Sequence, residues 1–150
     1  MVKNEAVLVL DFGGQYCQLI ARRVRECKVY CEIKSYKTPV TELAKKHYKG
    51  IILTGGPKSV YDEKSPHCDK ALFEMGVPVL GICYGAQLMA YTLNGKVSSS
   101  EVREYGKTPF QVKNLQSPLM QEVPETSVCW MSHTDHISEV PEGFETIAST

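Results

Sequence analysis

The sequence predicts an α/β fold: an open, mostly parallel sheet flanked by helices, followed by a C-terminal antiparallel β appendage. Three observations carry this reading. Short apolar runs at residues 6–10 (AVLVL), 50–53 (GIIL) and 77–82 (VPVLGI) have the near-continuous hydrophobicity of strands covered on both faces. Segments of helical spacing lie between them, as crossovers between parallel strands require. From Lys96 onward the texture changes to shorter β-type segments separated by polar turns and by Pro109, Pro118, Pro124 and Pro141.

Taken in order, the first strand (6–10) ends in Asp11 and delivers the turn FGGQY. Residues 16–25 place Leu19, Ile20 and Val24 on one side and Arg22, Arg23 and Arg25 mostly on the other, which predicts a surface helix. Residues 29–33 form a second strand. Pro39 and Thr41 open a short helix through Lys46, with Thr41 as its N-cap. The third strand (50–53) runs into the turn Thr54-Gly55-Gly56-Pro57. A helix over 66–75 follows, closed by Gly76. The strand at 77–82 then leads into a helix with Ala86, Met89, Ala90 and Leu93 at i, i+3, i+4 and i+7, closed by Asn94-Gly95. In the appendage, strands are expected at 110–114, 127–131 and 146–149.

Ligands of open α/β sheets bind beyond the carboxyl ends of the strands. That rule gathers three glycine-bearing turns onto one edge: Gly13-Gly14, Gly55-Gly56 and Cys83-Tyr84-Gly85. The last of these carries the chemistry. Gly81-Ile82-Cys83-Tyr84-Gly85 is the cysteine version of the G-x-S-x-G nucleophile elbow, whose turn is so sharp that the residues two places either side have no room for a Cβ. The first free N–H groups of the following helix face the sulfur, and their partial positive charge stabilises a thiolate. Most cysteines are simply small core residues. Here the flanking glycines, the strand before and the helix after favour Cys83 as a nucleophile.

Composition narrows the choice of partner. With 150 residues the chain reads as one domain able to bury about two-thirds of its unfolded surface without staples. Lys+Arg and Asp+Glu are both 17, for a formal net charge of zero, and no charged block points to nucleic acid or a membrane. A small substrate is expected. The six cysteines (17, 27, 31, 68, 83 and 129) show no paired spacing, and the N-terminus lacks the pattern of a signal peptide. A reducing, cytoplasmic setting follows. Cys27 and Cys31 have no second ligand pair, and His133, Asp135 and His136 lack a further ligand of known position, so no metal is expected. The segment 129–136 (CWMSHTDH) reads as a strand end running into a polar loop that touches substrate.

The motifs DFGGQY (11–16), GGPKSVY (55–61), GICYGAQ (81–87), REYG (103–106) and WMSHTDH (130–136) together resemble the class I (triad) glutamine amidotransferases, and within them the amidotransferase domain of GMP synthetases. The resemblance spans nearly the whole chain and implies a flavodoxin-like sheet. It makes Cys83 the residue that attacks the side-chain amide of glutamine, releasing ammonia and leaving a glutamyl thioester. It places the oxyanion hole at the backbone amides of Gly56 and Tyr84, and substrate contacts at Gln87, Ser132, His133 and Asp135. Thr134 stands where the family carries glycine, a misfit if the backbone there needs φ > 0. The family's base and orienting acid form a His-Pro-Glu motif downstream, and no such motif occurs in this sequence. A domain incomplete at its C-terminus, without the catalytic His and Glu, is therefore expected.

The resemblance further implies that no cofactor binds within 1–150. ATP and Mg²⁺ would belong to a partner ATP-pyrophosphatase domain or subunit that converts XMP to GMP. A PfpI-type cysteine hydrolase and a glutamine-sensing module without activity are the alternatives. The hydrolase fits less well, because it does not pair the elbow with Gly-Gly-Pro and DFGGQY.

Overall fold

The computed structural model describes residues 5–150, with side chains throughout except at residues 100–104. Residues 1–4, and the side chains of Arg103 and Glu104 in the REYG motif, lie outside the described residues. The chain divides into two compact units, Met1–Leu93 and Asn94–Thr150.

The first unit runs β1 (Ala6–Asp11), α1 (Cys17–Glu26), β2 (Tyr30–Ser35), α2 (Val40–Leu43), β3 (Tyr48–Leu53), a 3-10 helix (Lys70–Glu74), β4 (Val79–Gly81) and α3 (Tyr84–Thr92). Its four strands are all parallel, in the order β2-β1-β3-β4. This is the doubly wound, flavodoxin-like order, in which the chain reverses direction across the sheet between β1 and β3 and opens a crevice at their carboxyl ends. Leu8, Val9 and Leu10 of β1 and Ile51 and Leu53 of β3 are buried, which is why these strands read as unbroken apolar runs. On one face Val9, Cys31, Cys17 and Ala21 form a core joined by Val7, Ile20, Val24, Ile33 and Ile52.

Several sequence expectations shift in detail. The buried stripe of α1 is Cys17, Ile20, Ala21 and Val24, at i, i+3, i+4 and i+7, and Leu19 is on the exposed side. Small Ala21 on the stripe lets the helix approach the sheet. Pro39, not Thr41, occupies the cap position of α2, which stops at Leu43. Beyond it, Lys46 Nζ binds both oxygens of Glu32 at 2.7 Å and the Tyr48 hydroxyl donates to Glu32 at 3.0 Å, so the start of β3 is tied to β2. The Lys46 bond holds the Glu32 carboxyl below its usual range, and burial together with the Glu32 bond pushes the Tyr48 phenol up to about 12.

The helix expected over 66–75 is only the 3-10 turn Lys70–Glu74, capped by Asp69, whose carboxylate accepts from Ala71 N at 2.9 Å. Leu72 is its one buried residue, too little apolar face to hold an α-helix against the sheet. Gly76 follows with φ 69°, in the left-handed role assigned to it. Among the described residues β4 pairs with β3 alone, at the edge of the sheet, and Leu80 and Ile82 are exposed where the sequence predicts a fully covered strand.

The second unit is an antiparallel sheet of β5 (Lys96–Val112), β6 (Thr126–Glu139) and β7 (Ala148–Ser149), in the order β6-β5-β7. The antiparallel appendage is thus present, with strands far longer than 110–114 and 127–131. One face of the β5–β6 ladder presents Tyr105, Val128 and Trp130 to solvent.

Two glycines make opposite tests of this packing. A Cβ at Gly85 would overlap the Leu53 backbone, whereas Gly76 needs only its positive φ and has open space around it. We expect Gly85→Ala to cost about 3 kcal/mol by overpacking and Gly76→Ala about 1 kcal/mol from its left-handed backbone. Denaturant unfolding of the two variants measures both; equal losses would show that the backbone near Gly85 relaxes freely.

Candidate active site

β4 ends at Gly81 and α3 begins at Tyr84, leaving Ile82 and Cys83 to turn the chain from strand to helix. Ile82 N donates to Leu53 O at 3.0 Å, which extends the pairing with β3 into the turn. The Cys83 carbonyl accepts from Ala86 N at 3.0 Å and Gln87 N at 3.1 Å, starting the helix. Between these anchors Cys83 is held at φ 53°, ψ −116°, outside the ordinary regions for a residue with a side chain. Its side chain is exposed.

The flanking glycines are required by backbone crowding. A Cβ on Gly81 would lie 2.6 Å from both N and Cα of Ala86, and one on Gly85 would overlap the Leu53 carbonyl. Neither glycine has positive φ; Cys83 alone carries the unusual dihedral within the elbow. The geometry is that of a nucleophile elbow.

The other two turns meet it on the same edge of the sheet. Thr54, fully buried at the end of β3, receives Phe12 N on its Oγ1 at 3.0 Å and donates to Gly55 O at 3.1 Å. Gly14 packs so closely on the Gly55 backbone that no Cβ fits there, and a Cβ on Gly55 would lie 3.8 Å from Cys83 Cβ. Gly56 rests on the Tyr84 ring, with its own Cβ position 3.0 Å from two ring atoms. Gly56, Cys83 and Tyr84 are thereby brought together. Tyr84 N–H occupies the first helical position, which has no acceptor within its own helix. Gln87, one turn further on, is buried in α3.

Ser132, His133 and Asp135 belong to the second unit, and the polar loop expected there is strand. They lie in β6, with Ser132 opposite Tyr105, His133 opposite Glu104 and Asp135 opposite Ser99. The ladder slips between Ser99 and Glu104, so Thr134 faces the irregularity in β5. Thr134 has no positive φ, and a β-branched side chain suits the extended backbone it adopts. The misfit raised by its replacement of glycine does not arise in this conformation.

Thr54 and the Tyr84 ring are the parts of the site that the sequence reading passed over. A hydroxyl residue closing an apolar strand just before two glycines is the signal for the first; nothing in the sequence distinguishes the second from an ordinary aromatic. Among the described residues, no group of His, Cys, Asp and Glu is arranged to hold a metal ion.

The family described as glutamine amidotransferase class-I matches residues 8–150. Over 149 residues, 99% of the chain, the sequence is 62% identical to the GMP synthase (glutamine-hydrolyzing) of Caldicellulosiruptor saccharolyticus and 60% identical to that of Clostridium novyi. The chain spans 29% of the length of each of these relatives. In structure it is similar to a Thermoplasma acidophilum protein assigned as a GMP synthase subunit, with a TM-score of 0.84 and 28% identity over 97% of this chain and 73% of that one. A Thermotoga maritima glutamine amidotransferase shares the fold at a TM-score of 0.72 and 19% identity, over 97% of this chain and 66% of that one.

The thiols differ in accessibility. Burial pushes the Cys68 thiol up to about 11, and burial with nearby Asp11 also raises that of Cys17; Cys31 is buried. Cys83 and Cys27 are exposed, and only Cys83 stands beside the glycine turns. We expect a glutamine-shaped diazo-ketone, applied briefly, to label Cys83 before any other cysteine, as read by peptide mass mapping. Earlier labelling of Cys27 or Cys129 would remove Cys83 from its role.

Proposed function

This chain belongs to the class-I glutamine amidotransferases, and we propose that it hydrolyses glutamine through a Cys83 glutamyl thioester and supplies the ammonia for GMP formation. The observation that carries the reading is the strained Cys83 backbone, set beside Gly56 and Tyr84.

In this reading the Cys83 thiolate attacks the side-chain amide carbon of glutamine. The carbonyl oxygen becomes an oxyanion, accepted by the N–H groups of Gly56 and Tyr84, which need no reorganisation because the elbow and the Gly-Gly turn already hold them. Collapse of the tetrahedral species breaks the C–N bond, and the leaving nitrogen takes a proton to depart as ammonia. Water then cleaves the thioester to glutamate and restores the thiol. Gln87, Ser132, His133 and Asp135 are assigned to holding the substrate. The proton transfers need a general base that neither described turn supplies, and the family resemblance gives that work to a histidine oriented by a glutamate downstream of β7.

The 150 residues belong to the glutaminase part, which in this reading continues to the His and Glu downstream, and the greater length of the GMP synthase relatives supports a synthetase part that uses ATP and Mg²⁺ to activate XMP. No helix among the described residues is long and apolar enough to cross a membrane; the cytoplasmic setting is proposed from the unpaired spacing of the six cysteines.

The test uses the complete gene product. Glutamine hydrolysis should rise when ATP, Mg²⁺ and XMP are added together, and UTP should not replace XMP. Cys83→Ala should lose at least about a thousandfold in glutamine-dependent turnover while keeping GMP formation from added ammonium salt. Glutamine hydrolysis surviving in that variant would refute the thioester route, and stimulation by UTP would assign a different acceptor.

A further inference from the structure

The elbow residue that follows the nucleophile, Tyr84, has a side chain for which the proposed reaction gives no use. Tyr84 is the largest fully buried side chain among the described residues of the first unit. Its hydroxyl donates to the Pro66 carbonyl at 2.6 Å, across 18 residues of sequence. Its ring supports Gly56 and lies 5.9 Å from the Phe12 ring, which in turn stacks on Tyr36 at 5.7 Å.

Pro66 closes a loop that is itself well braced. Asp62 N donates to Ser59 O at 3.2 Å, Ser65 N to Asp62 O at 2.9 Å and Lys64 N to the Asp62 carboxylate at 2.9 Å, while the Ser65 hydroxyl bonds Ser59 O. The loop therefore offers the Tyr84 hydroxyl a fixed acceptor, and the bond sets how far the ring reaches under Gly56. One residue thus touches both proposed donors: Tyr84 N is one, and the Tyr84 ring lies against the Gly56 that carries the other.

We propose that the Tyr84 side chain is a positioning residue that sets the spacing of the Gly56 and Tyr84 amides through its bond to Pro66 and its contact with Gly56. The inference rests on the glutaminase reading above. It separates two reactions of the same sulfur. Attack on an amide develops an oxyanion and depends on donor spacing. Alkylation by iodoacetamide displaces iodide at a saturated carbon, develops no oxyanion, and depends only on the thiolate and its access.

The experiment measures kcat and KM for glutamine, the iodoacetamide alkylation rate of Cys83 and the unfolding midpoint in the complete gene product, for wild type, Tyr84→Phe and Tyr84→Leu. Tyr84→Phe should lower kcat about tenfold, less than the loss of a whole donor, with KM and the alkylation rate each within about twofold of wild type. Tyr84→Leu, which also removes the seat of Gly56, should lower kcat further while the alkylation rate again holds. Unchanged kcat in Tyr84→Phe overturns the proposal, as does a parallel fall of kcat and alkylation, which marks Tyr84 as support for the fold alone. Wild-type turnover of glutamine independently checks the reading on which the proposal rests.

Discussion

The conformation of Cys83 is the constraint on which the rest of the site depends. A backbone at φ 53°, ψ −116° costs on the order of 1–3 kcal/mol and persists only where its surroundings leave no alternative. The surroundings here converge on the end of β3. Leu53 O accepts the Ile82 amide and also occupies the space a Cβ at Gly85 would need, so the turn is pinned to the sheet on both sides of the cysteine. The helix contributes the remaining anchor through the two amides on the Cys83 carbonyl.

That strand end also builds the opposite wall. One residue past Leu53, Thr54 ties the first turn to the second through Phe12 N, and Gly55 and Gly56 follow directly against Gly14 and Tyr84. Nucleophile and proposed oxyanion donors therefore share one mechanical support, and their relative positions need no ligand to define them. A parallel sheet suits this purpose. Its doubly wound order opens the crevice between β1 and β3 without any residue dedicated to making it.

Much of this was legible in the sequence. Apolar runs located β1 and β3, because a strand covered on both faces has no polar alternation to obscure it. The elbow was legible because crowding at Gly81 and Gly85 excludes every other residue type. What failed depended on neighbours that one-dimensional spacing does not encode. Apolar character alone puts Leu19 in the buried stripe, but the helix approaches the sheet along small Ala21 instead. The polar stretch Ser132–His136 reads as loop by composition, yet β5 supplies a ladder that holds it extended. Leu80 looked buried because it is apolar, and its exposure follows from the edge position of β4. Of the candidate site, Cys83 is legible through backbone logic and the roles of Gly56 and Tyr84 only through the family resemblance, whereas the contacts of Tyr84 and Thr54 are long-range and visible only in three dimensions.

The central claim is that Cys83, Gly56 and Tyr84 form one preorganised acyl-transfer site. The most direct measurement is a crystal structure of the complete gene product with a glutamine-derived ketone or aldehyde trapped on the cysteine. The account predicts a covalent bond to Cys83 Sγ and the adduct oxygen within about 2.7–3.1 Å of both Gly56 N and Tyr84 N, with the elbow backbone unchanged. An oxygen directed away from those amides, or a Cys83 backbone that relaxes to an ordinary conformation when the adduct forms, would contradict it.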